Sequence, residues 1–377
     1  MPPRIEPPAV KPPVSPGVRN HCVELPFGYD ACVRWQVEDG EGPAALFAGY
    51  GGDVVERRPG AGAFRGMEFL HVRARTIVNS LPPSARMPFR HTINAYRGCS
   101  HACSYCFARP SHAWLELDID EGFDRQVVVK VNAVERLRIE LDQRRWPGDA
   151  IAMGTNTDPY QRCEGIYGLT AGLVKVLSQA RNPFSLLTKS TLVLRDLDLL
   201  AEASRRTDVS VNLSIGTLDG DVWRATEPGT PHPRQRLEAV ARLRAAGVRC
   251  GVLVAPVLPG LSDGADQLDA VVAACVEAGA STISGGQTVY LKPGTREVFL
   301  GRLRRSHPHL VERYETMYQG VYAPREVRQQ ASRRLGAALD RHRERRVAVT
   351  GRRSPPPGQQ ASPAPPAPEP AQLALGI

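Results

Sequence analysis

From about residue 88 the chain alternates between two residue periods, and that alternation leaves few folds open. Short apolar or β-branched runs recur as HTINAY, AIAMG, FSLLTK, VSVNLSIG, CGVLVAPV and TISGGQTVY, and such runs read as strands. Helical spacing fills the gaps. Val131, Val134, Leu137 and Leu141 share one helix face, with Asn132 placed as N-cap and Glu135 three residues on. Leu237, Val240 and Ala241 form a second stripe, and Gly247 follows where a C-cap glycine belongs. A third stripe, Leu268, Val271, Val272 and Cys275, ends at Gly279. Strands that alternate with helices pair in parallel through right-handed crossovers, as an open doubly wound sheet or a barrel-like curl. In both, chemistry gathers at the C-terminal ends of the strands.

The flanks read differently. MPPRIEPPAVKPPVSPGV at the start and RRSPPPGQQASPAPPAPEP near the end are too proline-rich to pair into a sheet or propagate a helix. Residues 1–20 and 351–377 are therefore expected to be disordered. Residues 21–87 are Gly-rich and weakly periodic, an expected irregular N-terminal arm to a core domain at 88–322. Residues 323–350 form a basic helical segment carrying Arg325, Arg328, Arg333, Arg334, Arg341, Arg343, Arg345 and Arg346. Such a segment either tracks a phosphate backbone or is a solvated helix face. A net charge of +9 and a pI near 9.3 lean toward a polyanionic partner such as nucleic acid. No charged-then-apolar leader and no run of about 18 apolar residues is visible, so a cytoplasmic protein without a membrane segment is expected.

A reducing compartment argues against a disulfide framework for the eight cysteines. Cys22, Cys32, Cys163, Cys250 and Cys275 are scattered, whereas Cys99, Cys103 and Cys106 crowd into YRGCSHACSYCFARP after the first strand. A closed zinc site would add His101 or His112 as fourth ligand, although His101 is expected to point away. Alternatively, three thiolates hold three corners of a [4Fe-4S] cubane and leave one iron open to an outside chelator. Gly98 would let the backbone turn sharply toward such a cluster.

The spacing of three intervening residues and then two resembles that of the radical S-adenosylmethionine (SAM) superfamily. That resemblance implies a partial (βα)6 TIM-like barrel with a [4Fe-4S] cluster on Cys99, Cys103 and Cys106. It also implies SAM chelated through its amino and carboxylate groups, and a flavodoxin- or ferredoxin-type electron donor. The reduced cluster would cleave SAM to methionine and a 5′-deoxyadenosyl radical that removes hydrogen from substrate. Tyr105 occupies the place where the family sets an aromatic residue beside the adenine.

GTNTDPYQRCE departs from the Gly-Gly-Glu-like stretch common in the superfamily. Together with NAYRGCSHACSYCFAR it resembles spore photoproduct lyase and its relatives. Oxygens of Thr155, Thr157 and Asp158 would receive the SAM ammonium, or Asp158 and Pro159 simply make a turn. Lys189 would pair with the SAM carboxylate or a substrate phosphate. Asn212 and Ser214 share a strand face, Ser214 toward a ribose hydroxyl. Val254, Pro256 and Gly260 would border the adenine. Cys163 either returns a hydrogen atom to a product radical or is a small buried hydrophobe; Cys250 and Cys275 read as core. The terminal Gln372–Ile377 resembles a bacterial sliding-clamp motif, with Gly376 in place of its aromatic anchor.

Three functions remain open at this level. The first is a radical SAM enzyme acting on a DNA lesion or another nucleic acid, in the manner of spore photoproduct lyase. The second is a radical SAM enzyme acting on a protein or small metabolite. The third is a non-catalytic zinc- or cluster-bearing nucleic-acid binder.

Overall fold

The structure is a computed structural model that describes residues 54–345, apart from 83, 86 and 142–145, together with strands β1 (His21–Glu24) and β2 (Asp30–Val33). Those two strands pair antiparallel with each other. The proline-rich ends and the Gln372–Ile377 motif lie outside the described residues, as do the side chains of Cys22 and Cys32.

All six sequence-derived strands enter one sheet: β6 (His91–Ile93), β9 (Ile151–Met153), β10 (Phe184–Thr188), β11 (Val209–Ser214), β12 (Arg249–Val254) and β13 (Ile283–Gly285). Each pairs in parallel with the next. The order is β13-β12-β11-β10-β9-β6, with β5 (Val78–Ser80) added antiparallel on β6. A doubly wound sheet reverses its strand order partway. This one runs in sequence from end to end, which selects the barrel-like arrangement, and among the described residues no pairing joins β13 to β5.

Helices α2 (Ala133–Leu141), α4 (Leu169–Gln179), α5 (Leu197–Arg206), α7 (Pro233–Ala245) and α8 (Ala265–Glu277) lie between successive strands of this sheet. Their buried residues Leu137, Leu173, Leu177, Leu200, Val240, Leu243, Val271 and Val272 share one core with Leu186, Val211, Leu213 and Val252 of the strands. Gly247 and Gly279 take the left-handed conformation just past α7 and α8, as their positions required. Cys250 and Cys275 are buried in that core. In the α7 stripe the buried alanine is Ala239 and Ala241 is exposed.

The expected irregular arm is partly wrong. Strands β3 (Val54–Pro59) and β4 (Glu68–Val72) join β8 (Gln126–Lys130) and β7 (Tyr96–Arg97) in a second sheet of order β3-β4-β8-β7. Val131 then lies past β8 and is exposed, while the Asn132 side chain ties down the backbone of Ala74. Short helices α1 (Glu121–Arg125), α3 (Glu164–Tyr167) and α6 (Gly220–Thr226) complete the middle of the chain.

Beyond β13 come α9 (Thr295–Ser306), α10 (Val311–Met317) and α11 (Arg325–Arg341). A second core of Leu258, Leu291, Phe299, Tyr314 and Tyr318 forms there and includes Cys103 and Tyr105. The basic segment is a docked helix rather than a free one. Ala331, Leu335 and Ala338 are buried, and Arg334, Arg341 and Arg345 meet Asp263, Asp269 and Glu277 on or beside α8. Among the described residues no helix is long and apolar enough to cross a membrane.

Candidate active site

The chain leaves β7 through Gly98, whose φ of +81° suits glycine. A Cβ there would lie 2.8 Å from the Gln126 carbonyl oxygen and 2.9 Å from the His112 ring. The backbone thus turns into the cysteine loop against its neighbours. Cys99 and Cys103 are buried and Cys106 is half-buried. Burial raises all three thiols, Cys103 to about 12. They stay protonated near neutrality until a bound cation displaces their protons.

Backbone hydrogen bonds fix the loop from several elements. Cys99 N donates to Phe123 O at 2.9 Å, and Ser104 N to Thr226 O at 2.9 Å. Thr157 Oγ1 and Gln161 Nε2 donate to Gly98 O at 2.7 and 3.0 Å, and Gln161 Oε1 accepts from Ser100 N at 3.0 Å. Thr295 Oγ1 donates to Cys106 O at 3.2 Å.

At the end of β9, Gly154 passes so near β10 that a Cβ would sit 2.1 Å from Leu187 O. Thr155 bonds Asn94 through its hydroxyl at 3.2 Å. Asp158 is saturated by protein: Oδ1 accepts from Tyr160 N and Thr188 Oγ1 at 2.9 and 2.6 Å, and Oδ2 from Lys189 N at 2.7 Å, with His101 Nδ1 3.2 Å away. Burial opposes its charge, but His101, Thr188 and Lys189 N outweigh burial and hold the carboxyl at about 2. Asp158 therefore acts as the turn-former and as a tie between β9, β10 and the cysteine loop, with its oxygens already engaged. His101, expected to point away, is buried against that carboxylate. Asn156 belongs to the same GTNTDPYQRCE run, where sequence reasoning assigned it no separate role. Its Oδ1 is buried without a hydrogen-bond partner among the described residues, and such an atom calls for a donor.

Lys189 stands at the end of β10 with Nζ 5.7 Å from the centre of the Tyr105 ring. Burial works against its ammonium, yet Cys103 and Glu227 hold it above its ordinary value. The Tyr105 hydroxyl donates to Glu227, which also pairs with the fully buried Arg236. Burial opposes ionisation of Glu227, but Arg236 and Lys189 outweigh it and keep the carboxyl below its ordinary value. Arg236 further donates to Ser214 O at 2.9 Å. Ser214 gives its own hydroxyl to Ala255 O at 2.8 Å, beside Pro256, and Val254 is buried in the main core. Asn212, half-buried at mid-strand, lies where a Cβ on Gly251 would approach its Oδ1 to 2.6 Å.

Of the two readings of Cys163, the structure agrees with the small buried hydrophobe: the side chain is wholly buried in the main core and burial pushes its thiol far up. The side chains bonded to the cysteine loop or its neighbours that sequence reasoning missed are Glu227, Arg236, Arg109 and Arg302. Arg109 carried the one local signal, an arginine inside the cysteine motif itself.

The donor set is three thiols, the ligand type that holds iron–sulfur clusters, and both imidazoles that a closed zinc site would draw on are engaged elsewhere, His101 against Asp158. His112 donates Nε2–H to Gln126 O at 2.8 Å, and burial lowers its pKa to about 4.

Two buried thiols and a half-buried one on a single loop, beside a sequentially ordered parallel sheet, define a class. The radical SAM superfamily model matches residues 93–271, and the chain belongs to that superfamily. Membership implies SAM and a [4Fe-4S] cluster. Uncharacterized proteins of Mycobacterium tuberculosis and Mycobacterium bovis are 44% identical over 283 residues, covering 74% of this chain and 82% of theirs. A Methanocaldococcus jannaschii protein is 29% identical over 197 residues, 52% of this chain and 70% of its own length. Spore photoproduct lyase complexed with dinucleoside spore photoproduct shares the fold, with a TM-score of 0.53 over 72% of this chain and 79% of that one at 18% identity.

Proposed function

We propose that the chain is a radical SAM enzyme of the spore photoproduct lyase-like branch that acts on a nucleic-acid lesion. The observation that carries the chemistry is the braced loop presenting Cys99, Cys103 and Cys106 while the nearby imidazoles of His101 and His112 are engaged with Asp158 and with Gln126 O. When bound, the cluster supplies one electron to SAM and so yields the hydrogen-abstracting deoxyadenosyl radical. The residues of this chain bind and orient. Asn156 and Thr155 receive the SAM ammonium at the end of β9, in place of the engaged Asp158. Lys189 offers its ammonium to the SAM carboxylate, while Tyr105, fixed by Glu227, borders the adenine. Pro256 closes the apolar side with Val254 packed in the core beneath it, and Ser214 and Asn212 sit on the strand between.

The shared fold with spore photoproduct lyase complexed with dinucleoside spore photoproduct supports the nucleic-acid substrate. The test is anaerobic reconstitution with iron and sulfide, followed by reduction with SAM and ultraviolet-damaged DNA. Cleavage to 5′-deoxyadenosine is expected in the native protein and is lost in Cys99→Ala, Cys103→Ala and Cys106→Ala. SAM cleavage with unchanged DNA would retain the class and redirect the substrate to a protein or metabolite. Stoichiometric zinc without SAM cleavage would overturn both.

A further inference from the structure

Two consecutive carbonyls of the cysteine loop are held by two arginines that share one carboxylate. Arg109 is fully buried, and each of its five N–H groups has an acceptor. Nε and Nη2 donate to Cys103 O at 3.0 and 2.9 Å, Nη2 also to Asp124 Oδ1 at 2.6 Å, and Nη1 to Ile119 O and Asp120 O at 3.1 and 2.8 Å. Arg302 of α9 donates Nη1 to Ala102 O at 2.7 Å and Nη2 to Asp120 Oδ1 and Asp124 Oδ2, both at 2.6 Å. Asp124 therefore joins the two guanidiniums through its two oxygens. The pinned residue Ala102 has φ +53°, a conformation that a non-glycine residue keeps only where its surroundings impose it.

We propose that Asp124, Arg109 and Arg302 form a brace that sets the cluster-binding shape of the cysteine loop before any cluster arrives. They are positioning residues, acting through the Ala102 and Cys103 backbone rather than on iron. The inference deepens the cluster assignment above and rests on it. It also extends the site beyond the residues matched by the superfamily model, because Arg302 and Thr295 both lie on α9. A lysine at 302 has no planar fork to reach three acceptors at once. Loss of such supporting contacts lowers metal affinity by roughly 10- to 100-fold.

The experiment uses full-length protein, native and carrying Asp124→Asn, Arg302→Gln or Arg302→Lys. Amide hydrogen exchange across residues 99–106 is followed in the metal-free state. Iron and sulfide content and the electron paramagnetic resonance of the reduced cluster follow reconstitution. Expected results are loop exchange about tenfold faster in the glutamine and asparagine variants, at least about tenfold weaker cluster retention and an altered resonance line shape. Arg302→Lys restores only part. Adding Ala102→Gly to Asp124→Asn recovers cluster retention, because glycine adopts the left-handed conformation unaided; a brace acting elsewhere in the fold would gain nothing from that change.

Circular dichroism reports whether each variant folds. Asp120→Asn, at the more exposed acceptor, serves where Asp124→Asn does not fold. Loop exchange and cluster retention equal to native in folded variants overturn the brace. A native protein that loads no cluster overturns the functional reading instead, and the metal-free exchange comparison still decides the brace.

Discussion

The arginines around the cysteine loop and those along α11 are identical in a charge count and opposite in use. Arg109 and Arg236 are fully buried, and with Arg302 they donate to backbone carbonyls of Cys103, Ser214 and Ala102 as well as to carboxylates. Arg341 and Arg345 are more than half exposed and meet acids of α8 across the surface. A buried ion pair is costly to break because the surviving charge is stranded. A surface pair loses little, since water replaces the partner. Net charge therefore says less about a polyanionic partner here than the count implies.

Substitutions at the two regions should separate widely in the denaturant unfolding of metal-free protein. Arg236→Met strands Glu227 and leaves Ser214 O without its donor, so a loss of about 3–5 kcal/mol is expected. A loss under about 1 kcal/mol there would erase the distinction between the regions.

Asp158→Asn should cost about 2 kcal/mol near neutral pH, from a carboxyl held at about 2 against an ordinary 3.8. Because the folded-state value is depressed, that stability is present above pH 3.8 and disappears as pH falls toward 2. The gap between native and variant should accordingly close over that window, and a pH-independent gap would refute the electrostatic origin.

Thr157→Ala removes a buried donor to Gly98 O and should cost about 1 kcal/mol, with faster amide exchange at the loop entrance. At the other extreme, Arg341→Ala should change stability by no more than about 0.5 kcal/mol, and less in high salt.

Legibility in the sequence followed how local each pattern was. The six parallel strands and the three thiols could be read because a period of two and a fixed cysteine spacing are carried by neighbouring residues. Strand β8 was hidden, since VVVKV suits a strand or the start of a helix, and pairing with β4 and β7 decides between them. Strands β3 and β4 owe their place to the same sheet. Asp158 was legible as a polar residue following β9, but only contacts from β10 and His101 reveal that its oxygens are engaged. Arg302 gave no signal at all, because its acceptors sit far away along the chain. Cys163 could be read two ways from sequence, because only packing around it shows that the side chain enters the core.

The reach of α9 has a consequence for biosynthesis. Arg302 contacts Ala102 across 200 positions, so a nascent chain carrying all three thiols lacks half of the scaffold that shapes them. At about 5–20 residues per second, the ribosome needs roughly 10–40 s more to deliver it. Iron acquired during translation would meet a pliable loop, and lasting capture belongs to the finished polypeptide.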